Sequence, residues 1–194
     1  MAKTEKTTVE RIVEAAESRI RTAGFHGFSF RDVAGDVGIK SASVHHHFPT
    51  KDALGVAVAR SYTDRFLRAL GDPGDESRGP EALLAAYAGL FRRALMVEGK
   101  MCLCGVLAAE SAGLSAPVQL AARDFFQRNL AWLKGVHSRQ FPGAAEDAIE
   151  AEALRTIALM EGAILTARAL DDVGVFDVLT QKGSLGGLAV LQKV

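Results

Sequence analysis

With 194 residues, 48% of them hydrophobic, the chain can form one large domain or two small ones, and general disorder is excluded. Lys+Arg and Asp+Glu number 23 each, so net charge points to no acidic partner; residues 1–70, with 11 basic against 8 acidic side chains, are mildly basic. Two cysteines are too few for a disulfide framework, no apolar run reaches the roughly 18–20 residues a bilayer needs, and the charged start lacks a secretory layout, so a reducing cytoplasm without membrane attachment is expected.

Val9, Ile12, Val13, Ala16, Ile20 and Ala23 recur at helical spacing and predict a first helix that Gly24 stops in a left-handed conformation. Ser29 is a natural cap for a short second helix through Asp36, and Gly38 breaks the chain after it. A third short helix is predicted from Ser41 to His47, ending before Pro49, because proline disfavours helix in the residue preceding it. Thr50 caps a fourth helix, with Asp52 at its positive end. "GDPGDESRGP" (71–80) reads as a linker. Helical patterns then cover about 81–98, 103–112, 117–140 and 145–171, Pro117 suiting a first turn. For the tail, 174–194, a short helix is expected, followed by a loosely defined glycine-containing end. No useful strand alternation occurs, so the fold class is all-α: an N-terminal three-helix unit, a linking fourth helix and a larger helical body of about nine helices in total.

Residues 29–48, "SFRDVAGDVGIKSASVHHHF", have a helix-turn-helix layout. Val33, Ala34, Val37, Ile39, Val44 and Phe48 can share one core, and small Ala34 lets the two helices cross closely. The other face of the second helix then carries Lys40, Ser41, Ala42, Ser43, His45 and His46. Its short side chains would let the backbone approach base edges in a major groove. The three adjacent histidines make a poor metal site, because neighbours on a helix point about 100° apart and no i, i+4 pair exists. They lack a companion nucleophile or carboxylate for catalysis, so no catalytic set, metal or cofactor is expected. His47, next to Phe48, is expected to make a structural hydrogen bond or a backbone contact.

The stretch "GFHGFSFRDVAGDVGIKSASVHHHFPTKDAL" (24–54) resembles the N-terminal signature of the TetR family of transcriptional regulators. The resemblance lies in the Gly-Phe opening, Ala34, the Gly38-Ile39 turn, the His47-Phe48 pair, Lys51 and Leu54. It implies a helix-turn-helix DNA-binding domain over 1–50 and a ligand-binding and dimerisation domain over 51–194. It also implies a homodimer on double-stranded operator DNA, most simply a repressor released by a small-molecule inducer. Carried over residue by residue, Ser29 touches a phosphate, Lys40, Ser41, Ala42 and Ser43 are base-contact candidates, and Lys51 meets a phosphate at the start of its helix. Two positions depart from the family pattern. His45 stands where a tyrosine is usual, making that hold on the DNA backbone pH-dependent, and Lys40 replaces a small polar residue.

In the body, "RTIALMEGAILTARAL" (155–170) is apolar nearly all round and rich in small residues, which suits packing against a second copy. The last long helix, about 145–171, and the tail are therefore the expected dimer surface. Glu161 inside that stretch needs a partner, an arginine or a capping group. Phe91, Met96, Met101, Phe125, Phe126, Trp132 and Met160, with Glu161, are candidates to line a ligand pocket, and each is equally a candidate for plain core. Cys102 and Cys104 offer an alternative, sensing of oxidants or electrophiles, although i, i+2 spacing on a helix separates their faces. A helical enzyme acting on an apolar substrate is a further alternative that lacks any reactive constellation.

Overall fold

The computed structural model describes residues 6–181 and contains nine α-helices and one short 3-10 turn among them, with no strand. The helices are α1 (Thr8–Ala23), α2 (Phe30–Val37), α3 (Ser41–His47), α4 (Lys51–Leu70), α5 (Pro80–Met96), α6 (Leu103–Ala109), α7 (Ala116–Gln140), α8 (Glu146–Ala169) and α9 (Gly174–Leu179). The predicted tail helix is α9, and the remainder of the tail lies outside the described residues.

The helix starts follow from side-chain chemistry. Thr7 and Glu10 form a reciprocal capping box at α1, and Ser29 and Asp32 form another at α2. At α4 the Ala53 amide donates to the Thr50 hydroxyl at 3.0 Å. Pro80 occupies the first turn of α5, where a missing N–H costs nothing. The stops differ in kind. Gly38 closes α2 in the left-handed region at φ 73° and ψ 37°. Gly24 ends α1 at φ 80° and ψ 169°, an extended positive-φ conformation open essentially to glycine alone, in place of the expected left-handed turn.

The chain divides into two compact units. The first takes residues 1–65 and 103–125, so α6 and the start of α7 return to the N-terminal helices. Ile12, Ala16, Ile20, Val33, Val44 and Leu54 are wholly or almost wholly buried in it, with Phe25, Phe28, Phe30 and Phe48 around them. Polar ties fix the helices to one another. Arg19 grips Asp36 through two hydrogen bonds at 2.6 and 2.8 Å, and Arg11 donates to the Val37 carbonyl. Glu17, 6% exposed, bonds both Arg21 (3.2 Å) and Arg65 (2.7 Å), and both guanidinium groups stand over the Tyr62 ring. A buried carboxylate held by two cations is costly to unpair, so this cluster sets the spacing of α1 and α4.

The second unit takes residues 66–102 and 126–194. Here α5 packs on α8 and α8 on α9. An aromatic group runs through it: Trp132 stacks on Tyr87, and Phe66 and Phe91 lie within 5.7 Å of Tyr87, centre to centre. The Trp132 indole donates to the Gly71 carbonyl at 2.8 Å, and Arg139 donates to the carbonyls of Pro73 and Arg78, which pins the 71–79 linker. His137 is buried between Gln140 and Thr156, at 3.0 Å from each, and burial lowers its pKa.

Candidate nucleic-acid interface

In the first unit, α2 and α3 pack across the Gly38 turn through Val33, Ala34, Val37 and Val44, with Ile39 half-buried. That packing turns the other face of α3 outward. Lys40, Ala42, His45 and His46 are exposed, and Ser41 and Ser43 are half-buried. The surface is short, polar and nearly free of carbophilic bulk. Such a helix suits the width of a major groove.

Beside α3 the structure forms a hollow of about 470 Å³ lined by Phe28, Ser29, Phe30, Arg31, Ser41, His45 and Lys51. It brings together four of the sequence-predicted residues, Ser29, Ser41, His45 and Lys51, which come from two helix starts and the reading helix. Arg31 joins them. Neither composition nor spacing singled out this arginine, because its relation to Lys51 exists only once α2 and α4 are placed. A guanidinium, an ammonium, an imidazole and hydroxyls around one open hollow are the donor set that a phosphate diester takes. Lys40, Ala42, Ser43 and His46 lie outside the hollow.

Lys51 is tucked further in than the sequence suggests. Its ammonium donates to the Phe28 carbonyl at 2.6 Å and lies over the rings of Phe25 (5.1 Å) and Phe28 (4.4 Å). Burial lowers its pKa, while the charges of Glu110, Asp52 and Asp32 oppose that shift. It therefore anchors the 25–28 turn as well as facing the hollow. The Ser29 hydroxyl is likewise engaged, donating to Asp32 at 2.7 Å. His45 sets its ring edge against Phe30, 4.6 Å between centres. His47 is exposed beside His46 and makes no hydrogen bond with its side chain among the described residues. The structural hydrogen bond expected for it is absent because α3 ends with that residue pointing away from the core.

Glu110, just after α6, is a second residue that sequence reasoning missed. Its carboxylate accepts from the Phe25 amide at 2.9 Å. The same group sits so close to Gly24 that a Cβ there would lie 2.0 Å from Oε1. A pairing 85 residues apart has no local sequence signal.

The pocket candidates are distributed over both units. Phe91, Trp132 and Met160 are buried in the second unit, where Met101 and Phe126 are half-buried; Phe125 is buried in the first unit, 5.7 Å from Tyr62. Met96, at the end of α5, is 47% exposed. Glu161 has no arginine or lysine partner among the described residues; the Cys102 side chain bonds its carboxyl instead. Cys102 and Cys104 are both buried thiols.

The profile of "Bacterial regulatory proteins, tetR family" matches residues 12–58, the span from α1 into α4. Among solved structures, a TetR transcriptional regulator from Legionella pneumophila is 33% identical, with a TM-score of 0.85 over 92% of this chain and 96% of that one. A TetR-family regulator from Agrobacterium tumefaciens is 29% identical, with a TM-score of 0.78 over 89% and 93%. The regulatory protein TetR from Rhodobacter sphaeroides, at 19% identity and a TM-score of 0.81 over 91% and 96%, shares the fold. No curated relative matches the chain at a significant level.

Proposed function

The chain belongs to the TetR family of transcriptional regulators, and from that membership we propose that it is a homodimeric repressor that leaves its operator when a small molecule occupies its second unit. The observation that carries the DNA part is the open, donor-lined hollow of Ser29, Arg31, Ser41, His45 and Lys51 beside the exposed face of α3. In this reading the hollow fixes the head on the backbone, and Lys40, Ser41, Ala42 and Ser43 meet base edges. His46 adds a backbone contact at the far end of α3. The setting is the cytoplasm, where the operator is.

Dimerisation is supported by α8. Leu154 and Leu165 are 51% and 60% exposed, and Ala158, Gly162 and Ala169 complete an exposed apolar stripe at helical spacing with them. Small residues along such a stripe let two copies approach closely, and two reading heads must be held about one DNA turn apart. Release is supported by Glu110. The residues after Cys102 pass directly into α6, so a displacement of α6 pulls on the carboxylate that holds the Phe25 amide. A ligand that favours one α6 position shifts the population of head spacings by its differential affinity alone. The redox alternative has little support, because Cys102 and Cys104 are buried away from a diffusing oxidant.

The reading is tested by recovering an operator from genomic fragments, then screening for compounds that dissolve the complex. Leu165→Glu is expected to give a monomer by sedimentation with at least tenfold weaker operator binding. A Leu165→Glu protein that stays dimeric would remove α8 as the interface.

A further inference from the structure

The second unit holds buried polar atoms with no hydrogen-bond partner among the described residues. Tyr87 is 1% exposed, and its hydroxyl has no hydrogen-bond partner among the described residues. Oε1 of Glu161 is buried and also lacks one. The two belong to α5 and α8, helices that pack on each other, and they are near enough for the Glu161 charge to raise the Tyr87 pKa, after burial itself and ahead of Cys102. Burial pushes the Glu161 carboxyl up to about 7, against the opposing hydrogen bond from Cys102. A buried carboxylate with no cation and a phenol with no acceptor are each unfavourable by themselves. Both would be relieved by one visitor.

We propose that Glu161 and Tyr87 form the polar end of the inducer site, and that the inducer is a lipophilic organic ammonium ion. This rests on the ligand-release reading above. One ammonium N–H donates to Glu161 Oε1 and a second to the Tyr87 oxygen, so a single positive centre satisfies both atoms and neutralises the carboxylate. Trp132, Phe66 and Phe91 surround Tyr87 and supply the π surface that a cation with an apolar body prefers. An anion would face the carboxylate. A neutral alcohol could fill the hydrogen bonds but would leave the ionised form of Glu161 uncompensated. Cys102, bonded to the same carboxyl, is the last residue before α6, so pairing at Glu161 acts one residue from the helix that leads to Glu110.

The test uses the full chain and aryl-ethylammonium ions of one, two and three rings, each beside its alcohol and carboxylate isosteres, with binding read by calorimetry. The best ammonium is expected to bind at least tenfold more tightly than its alcohol. Glu161→Gln is expected to erase that preference, and Tyr87→Phe to weaken the ammonium several-fold while folding normally, since it removes a buried hydroxyl that has no partner. Equal affinity for ammonium and alcohol, a preference that survives Glu161→Gln, or no binding at millimolar ammonium would each overturn the site, the last meaning that buried water satisfies these atoms. A second arm follows operator DNA. Tight ammonium binding through Glu161 with an intact DNA complex keeps the site and defeats ligand release. Dissolution by the neutral alcohols, unaffected at residue 161, keeps release and defeats the ammonium site.

Discussion

The two compact units differ at their buried ionisable groups. In the first, the ionic and capping groups are matched: Arg19 with Asp36, Glu17 with Arg21 and Arg65, Ser29 with Asp32, Glu110 with the Phe25 amide. In the second, the Tyr87 hydroxyl and Glu161 Oε1 are buried without partners among the described residues, beside matched groups such as Arg92 with Asp177 and His137 with Thr156. Fully satisfied networks specify one arrangement, as a head that must keep its register on DNA requires. Unsatisfied buried atoms leave free energy to be released by binding, as a responding body requires. In the proposed function the contrast separates a part that holds shape from a part that ligand binding changes.

That contrast can be broken most sharply at Glu17. Glu17→Ala removes the buried carboxylate that both Arg21 and Arg65 bond and is expected to cost roughly 3–5 kcal/mol, read from denaturant unfolding. A loss below about 1 kcal/mol would mean the head does not depend on matched ions. In the body the corresponding measurement is stability against pH. The folded pKa of Glu161 is raised, so its neutral form is favoured in the native state and its contribution is complete below the unfolded pKa near 4.5. It is lost as pH rises through about 7, a decline of about 3 kcal/mol that Glu161→Gln should flatten. An unchanged pH slope in that variant would place the carboxylate in water.

A smaller effect is expected at Gly24. Gly24→Ala meets both a positive φ and the Glu110 oxygen and should cost about 1–3 kcal/mol. Combining it with Glu110→Ala should recover the steric part only, and full additivity would deny their contact. Smallest is Lys51→Ala, expected to weaken binding to every DNA sequence about tenfold and to lower the log–log salt slope by about 0.9. Ser41→Ala or Ser43→Ala should instead alter base preference with little change in salt slope.

How much of this was legible in the sequence depended on the range of the signal. Ser29, Thr50 and Gly38 act within a few residues of themselves, and the helices began or ended where their chemistry predicted. The apolar spacing of Val33, Ala34, Val37 and Val44 likewise fixed the helix-turn-helix core. What failed to show was long-range. Arg31 takes its place only because it and Lys51 come to line one hollow, and Glu110 only through the return of α6 to α1. The return of 103–125 to the N-terminal helices carries no composition shift to announce it. Glu161 was visible as an anomaly, a carboxylate in an apolar helix, but the expected arginine is not among its described neighbours. Its phenol neighbour, Tyr87, lies 74 residues earlier in a different helix and left no trace in spacing.

DNA recognition by the first unit is proposed to run through α3 and the hollow beside it. Selection of genomic fragments by the purified chain at low salt tests it most directly. The expected result is enrichment of a two-fold symmetric site with half-sites about one helical turn apart, and loss of that enrichment in Arg31→Ala/Lys51→Ala. Failure to enrich any sequence, or enrichment undiminished in the double variant, would contradict it.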